Sequence, residues 1–175
     1  EDTGAGDAAA PPPLEAIAVL GDDVVTIDFT TGEPTVIAPV DDGFSIAGLA
    51  YDMSTQTIYA LANFDAPVLL EIDRCTGAQT SIGAITPTEG TLFFAEGIAF
   101  DSTTDTLYLA GSADGDVPSD TASETLFTVN PTDAQATRVA TISGTLQDDV
   151  DRMGWVGAQG YVLDTDGSSV SNLYT

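Results

Sequence analysis

Lysine and histidine are both missing from this chain of 175 residues, and its only basic residues are Arg74, Arg138 and Arg152. That absence excludes a Ser-His-Asp triad, a Schiff-base lysine, a His-ligated zinc and a phosphate-cradling lysine. HExxH, GxSxG and Walker-type loops are absent as well. Carboxylate chemistry and calcium-assisted chemistry are what remain. Cysteine occurs once, at Cys75 in R-C-T-G, so no intrachain disulfide forms and the redox compartment is not legible from cysteine usage. The R-C-T-G stretch reads as a turn, which predicts an exposed thiol, and with only Arg74 beside it nothing activates that thiol. There is no apolar run of about 18 residues, the length a membrane-crossing helix needs, and no signal-peptide core.

Against three basic residues stand 28 Asp and Glu, for a net charge of −25. Such a chain repels nucleic acid and anionic membrane surfaces, so the expected partners are cations, neutral polar ligands or other proteins. The acidity reads first as a solvated surface suited to high salt and second as a set of cation sites. Hydrophobic residues still make up 43% of the chain, enough for a packed core in one domain or in part of a larger one. Residues 1–13, ending in three prolines, read as a flexible or polyproline-like leader at the start of a mature or trimmed chain. Residues 14–175 read as the folded unit.

Two phrases repeat within that unit. G-L-A-Y-D-M-S-T-Q-T-I-Y-A-L, from Gly48 to Leu61, returns as G-I-A-F-D-S-T-T-D-T-L-Y-L-A, from Gly97 to Ala110. Apolar runs parted by Asp, Ser and Thr are strands joined by a turn. The second phrase runs from Val24 to Ala38, again from Leu69 to Gly83, and a third time from Leu126 to Ala140, where Asp133 is read in the place of the glycine. Joined, the phrases give units of four strands, A to D. Unit two spans about Ile46–Ala84 and unit three about Ala95–Ile142. Unit one shows B (Ala16–Leu20), C (Val24–Asp28) and D (Thr35–Ala38), and unit four shows A (Met153–Val156), B (Tyr161–Asp164) and C (Asn172–Thr175).

A repeat of roughly 40–50 residues with four strands is the mark of a β-propeller blade, and no helical periodicity competes after residue 14. The expected fold is therefore all-β, a propeller with about three and a half to four blades in this chain. The recurring glycines Gly48, Gly97 and Gly154 are expected where a side chain would strike neighbouring backbone near the central channel. Three arrangements of the ends stay open: three-stranded end blades in a four-bladed ring, a segment of a longer chain, or strands supplied by a neighbouring subunit.

The phrases I-D-F-T-T-G-E-P-T-V-I, G-L-A-Y-D-M-S-T-Q-T-I-Y-A-L and E-I-D-R-C-T-G-A-Q-T-S-I-G resemble the bacterial and archaeal extracellular propeller repeats of the YVTN and NHL-like group. The resemblance covers residues 16–175. It implies a surface, adhesion or scaffold module, and the repeat architecture, the acidity and the missing nucleophile-base sets favour a secreted or cell-surface structural and interaction module without catalysis, which binds protein partners or itself through propeller faces or open strand edges. A calcium-dependent propeller hydrolase of lactonase type is the alternative it implies.

Candidate site residues follow from aligning the copies on the strand A glycine. That places Ala47, Glu96 and Met153 in one position, with Ile46, Ala95 and Arg152 before it. Glu96 and Arg152 are then the charged residues nearest the channel mouth, as a ligand-binding or structural ion pair. Ca²⁺ takes six to eight oxygens, and the acidic groups that could supply some of them are Asp114, Asp116 and Asp120, then Asp148, Asp149 and Asp151, and finally Asp164 and Asp166. None completes an EF-hand loop. Trp155, aligned with Leu49 and Ile98, reads as core, as do Tyr59 and Tyr108, which share one position.

Repulsion between the like charges reaches about 10 Å at 0.1 M salt but only about 3 Å at 1 M. The folded state concentrates the negative charge more than the unfolded chain does, so screening stabilises the fold. The melting temperature is expected to rise from 0.1 to 2 M KCl. A flat melting temperature across that range would refute the high-salt reading of the acidity.

Overall fold

A computed structural model describes residues 15–113, 124–142, 150–156, 159–165 and 171–174, and every regular element among them is a strand. Four sheets, antiparallel except for one short parallel pairing, follow one another along the chain. The first holds β1 (Glu15–Leu20), β2 (Asp23–Asp28) and β3 (Pro34–Pro39). The second holds β4 (Ile46–Asp52), β5 (Thr57–Ala62), β6 (Val68–Ile72) and β7 (Gln79–Ala84). The third holds β8 (Thr86–Pro87), β9 (Leu92–Asp101), β10 (Thr106–Ala113), β11 (Glu124–Val129) and β12 (Gln135–Thr141). The fourth holds β13 (Val150–Val156), β14 (Gln159–Thr165) and β15 (Ser171–Tyr174). Apart from β8, each sheet is a meander in chain order.

Side-chain alternation explains why the sheets stack. In β5, Ile58, Ala60 and Ala62 join a core shared with the first sheet, while Tyr59 and Leu61 join a core shared with the third. A strand covered on both faces reads as a nearly continuous apolar run, T-I-Y-A-L-A, because neither face is left for polar residues. The same division holds in β6, where Leu70 and Ile72 face the first sheet and Leu69 the third. Each large side chain buried in this way contributes about 1.5–3 kcal/mol. The leading strands of successive sheets gather together, β4 beside β9 and β9 beside β13. Sheets stacked face to face with their first strands inward are the blades of a β-propeller.

Turn chemistry repeats with the strands. Asp52 caps the β4–β5 turn by accepting from Ser54 N at 2.7 Å, Ser54 Oγ at 2.7 Å and Thr55 Oγ1 at 2.5 Å. Asp101 does the same at the β9–β10 turn with Thr103 N, Thr103 Oγ1 and Thr104 Oγ1. The second turn type closes β2–β3, β6–β7 and β11–β12 with bonds from Gly32 N to Asp28 O, Gly77 N to Asp73 O and Ala134 N to Asn130 O. This register corrects the sequence alignment: Ala134, not Asp133, stands in the glycine's place, and it holds φ at 57° beside the 74° of Gly32 and 71° of Gly77. Ala134 is fully buried in the second–third core, so its methyl packs in return for the left-handed backbone.

Two further features are invisible in the repeat. The three outer strands β3, β7 and β12 each carry a bulge, at Ile37, Ile82 and Val139, where the register skips one residue. Strand β8 lies in the linker between the second and third sheets and pairs in parallel with β12, so the third sheet gains a fifth strand. At the corresponding point before the second sheet, a side chain takes over that role. Gln79 Oε1 accepts from Asp41 N at 3.0 Å and Gln79 Nε2 donates to Pro39 O at 3.0 Å. Strand A of the third unit, β9, also begins earlier than expected, at Leu92, and that of the fourth, β13, at Val150.

The reason for the recurring glycines also needs correction. A Cβ on Gly97 would lie 2.7 Å from Met153 Cγ and 3.3 Å from Val150 Cγ1, side chains of the next sheet rather than backbone. Gly154 has nothing within 4 Å. Gly97→Ala is therefore expected to cost about 1–3 kcal/mol through overpacking, whereas Gly154→Ala stays within about 0.5 kcal/mol of the parent or stabilises it by restricting the unfolded chain. Thermal melts of the two variants check this, and equal losses at both positions would contradict it.

Candidate functional site

Three carboxylates are deeply buried among the described residues: Glu124, 3% exposed, accepts from Ser112 Oγ at 2.9 Å, and the other two hold turns. Asp52 and Asp101 are each 3% exposed. Burial pushes the Asp52 carboxyl up, but the combined hydrogen bonds of Thr55 and Ser54 outweigh it and hold the group below its ordinary value. Asp101 follows the same pattern, with burial opposed and overcome by Thr103 and Thr104. In the exposed turns, the Thr30 backbone N–H lowers Asp28 and the Thr76 backbone N–H lowers Asp73. Among the described residues no three Asp, Glu or Cys side chains converge as a metal site.

The expected ligand residues fall in different places. Glu96 lies in β9 at a bulge, since the register passes from Gly97–Ala110 to Ala95–Gly111. Ala47 occupies the matching bulge in β4. In β13 the bulge falls on Asp151 rather than on the aligned Met153, and Arg152 pairs regularly with Leu163, its side chain exposed. Because Gly97 abuts Met153, the strand segments carrying Glu96 and Arg152 run side by side. Asp164 sits in β14 opposite Val150 and Asn172. Asp114, Asp116, Asp120, Asp148, Asp149 and Asp166 lie outside the described residues.

A second irregularity next to Glu96 gave no signal in the sequence. Phe94 is also skipped in the register and holds φ at 48°, a backbone region that a bulky L-residue rarely enters. Its ring packs on Phe64 of the β5–β6 loop at 4.8 Å between centroids. Paired bulges that re-aim side chains are common beside functional sites, so this end of β9 is the distinctive part of the rim. Trp155, expected in the core, stacks on Tyr108 at 4.6 Å and 5°, and Tyr59 stacks on Phe100 at 6.2 Å and 24°. The two tyrosines thus do equivalent work between successive sheets.

A cavity lies elsewhere, between the first and second sheets. It measures about 630 Å³ and is lined by Ile17, Thr26, Leu49, Tyr51, Arg74 and Cys75 among others. Cys75 is an exposed thiol, as its turn position predicts. Arg74 donates to Gln56 Oε1 at 3.2 Å, and among the described residues no carboxylate pairs with it. The neighbouring Asp73 Oδ1 is taken up within its own turn by Cys75 N, Thr76 N and Thr76 Oγ1.

Comparison with solved structures supports the architecture. The chain is similar to one in the crystal structure of a nidogen/laminin complex, at 17% identity and a TM-score of 0.50, covering 86% of this chain and 56% of that one. This likeness, with the stacked sheets, makes the fold a β-propeller. A protein of unknown function from Bacteroides caccae also matches, at 12% identity and a TM-score of 0.49, over 87% of this chain and 50% of that one. The chain spans about half the length of these solved chains. No protein-family model matches it, and no curated protein matches it in sequence. The narrower likeness to the YVTN and NHL-like group rests on the repeat phrases alone.

The turn carboxylates yield a pH dependence. A carboxyl held below its unfolded value contributes stability above that value and loses it as pH falls through the lowered folded one. Asp52→Asn is expected to melt below the parent at pH 7, with the gap shrinking once the pH drops under about 4, near the ordinary aspartate value. Melting curves of both proteins from neutral pH to about pH 2 test this, and a gap independent of pH would overturn the assignment.

Proposed function

We propose that this chain is a secreted or cell-surface protein-interaction module in which the first sheet recruits a β-sheet of a partner polypeptide. The carrying observation is the far face of that sheet. In β5 the face turned toward the first sheet is sealed, with Ala60 and Ala62 both at 0% exposure. The matching face of the first sheet, turned away from the second, buries Val25 at its centre to 2% exposure but leaves Leu20 49% and Val36 58% exposed at its margins. Strand β1 also has β2 as its one strand neighbour among the described residues, so its other edge offers backbone donors and acceptors. Exposed apolar side chains beside an open edge suit strand addition and sheet stacking. A second copy of the chain is the partner that meets these needs, since the repeats already stack on one another. The placement outside the cell is supported by the resemblance of the repeat phrases.

Light scattering after size exclusion tests the reading at 2 M KCl, where like-charge repulsion is screened. The expected result is reversible association at micromolar concentration, weakened by Leu20→Asp and by Val36→Asp, both exposed and so harmless to the core. A parent protein that stays strictly monomeric across the range would count against it.

A further inference from the structure

The cavity between the first and second sheets has a specific origin. Ile17, Tyr59 and Tyr108 pair with Thr26, Glu71 and Thr128, which hold the same place in the second repeated phrase. They are therefore equivalent positions. Tyr59 closes its interface on Phe100 and Tyr108 closes its interface on Trp155. Only Ile17 stands at this position in the first sheet, and Tyr51, the counterpart of Phe100 in the repeat, is left 43% exposed. One missing ring opens the cleft of about 630 Å³, within the range of roughly 300–1,000 Å³ typical of small-ligand pockets.

We propose that this cleft binds a small amphipathic carboxylate, with its apolar body against Ile17, Leu49 and Tyr51 and its anionic head on Arg74. Charge selects the head. Among the described residues Arg74 is the one formally charged side chain lining the cleft and has no carboxylate partner, in a chain that carries 28 acidic residues. A guanidinium binds a carboxylate through two parallel N–H donors. Tyr51 and Thr26 add hydroxyls to an otherwise apolar wall. The field of the whole protein opposes any anion, so binding strengthens as salt screens that field. This site is independent of the far face of the first sheet, on which the interaction reading rests.

The test uses Cys75, which lines the cleft and is the chain's one cysteine. Its rate of labelling by the neutral reagent N-ethylmaleimide is followed in 1 M KCl with increasing decanoate, and separately with decyltrimethylammonium, both below their micelle thresholds. Decanoate is expected to slow labelling in a saturable way, and the cation is not, although a net charge of −25 would favour the cation for any non-specific uptake. Arg74→Gln is expected to raise the decanoate concentration needed by about tenfold, the loss of one charge-assisted pair. Ile17→Tyr, which restores the ring used in the other interfaces, is expected to make labelling insensitive to decanoate, with folding followed by circular dichroism. Equal protection by the cation, an unaltered response in Arg74→Gln, or no protection of the parent would each overturn the proposal, and the Arg74→Gln comparison holds whether or not the tyrosine variant folds.

Discussion

Burial of a sheet on both of its faces is the constraint from which the rest follows. A strand such as β5 can keep Tyr59 and Leu61 on one side and Ile58, Ala60 and Ala62 on the other only while a neighbouring sheet covers each. No single sheet here is stable alone, because its apolar faces need partners of the same kind. The glycine at position 97 is a local expression of this demand, since the next sheet approaches too closely for a side chain. So are the paired rings, which set the spacing between sheets.

Strand content and repeat were legible because each copy obeys the same two rules, apolar alternation and Asp-led turns. The Asp52 and Asp101 turns lie where the D-M-S-T-Q-T and D-S-T-T-D-T runs put them, since those side chains satisfy the turn's own backbone donors. What failed has a physical cause in each case. Ala134 was hidden because a left-handed turn normally selects glycine, and here a buried methyl outweighs the backbone cost. Strand β8 was hidden because a two-residue T-P pairing has no periodicity to read.

The candidate sites were less legible than the fold. Glu96 was singled out by its alignment on Gly97, but the neighbouring bulge at Phe94 depends on how β9 pairs with β10, which no local pattern encodes. The cleft was missed for a related reason. Ile17 is an ordinary apolar residue in its own strand, and its consequence appears only when β1 is matched with β5 and β10 through the strand each one pairs with. Asp28, Asp52, Asp73 and Asp101, none of them read as a ligand, hold turns together, whereas most of the acidic residues read as possible ligands lie outside the described residues.

The linker pairing of β8 with β12 bears on the order in which the chain assembles. Meander sheets are built from contacts close in sequence, which form quickly because little loop entropy is lost. The bonds from Thr86 N to Ala134 O and from Thr88 N to Ala136 O are different, because the whole of β9, β10 and β11 intervenes. They can form only after the third sheet has folded and returned its last strand to the linker. This contact therefore works as a latch, closing late and tying the path out of one blade to the completed rim of the next. The Gln79 side chain performs the same closure one blade earlier with two hydrogen bonds, so successive blades are locked by different chemistry at the same point on the outer edge.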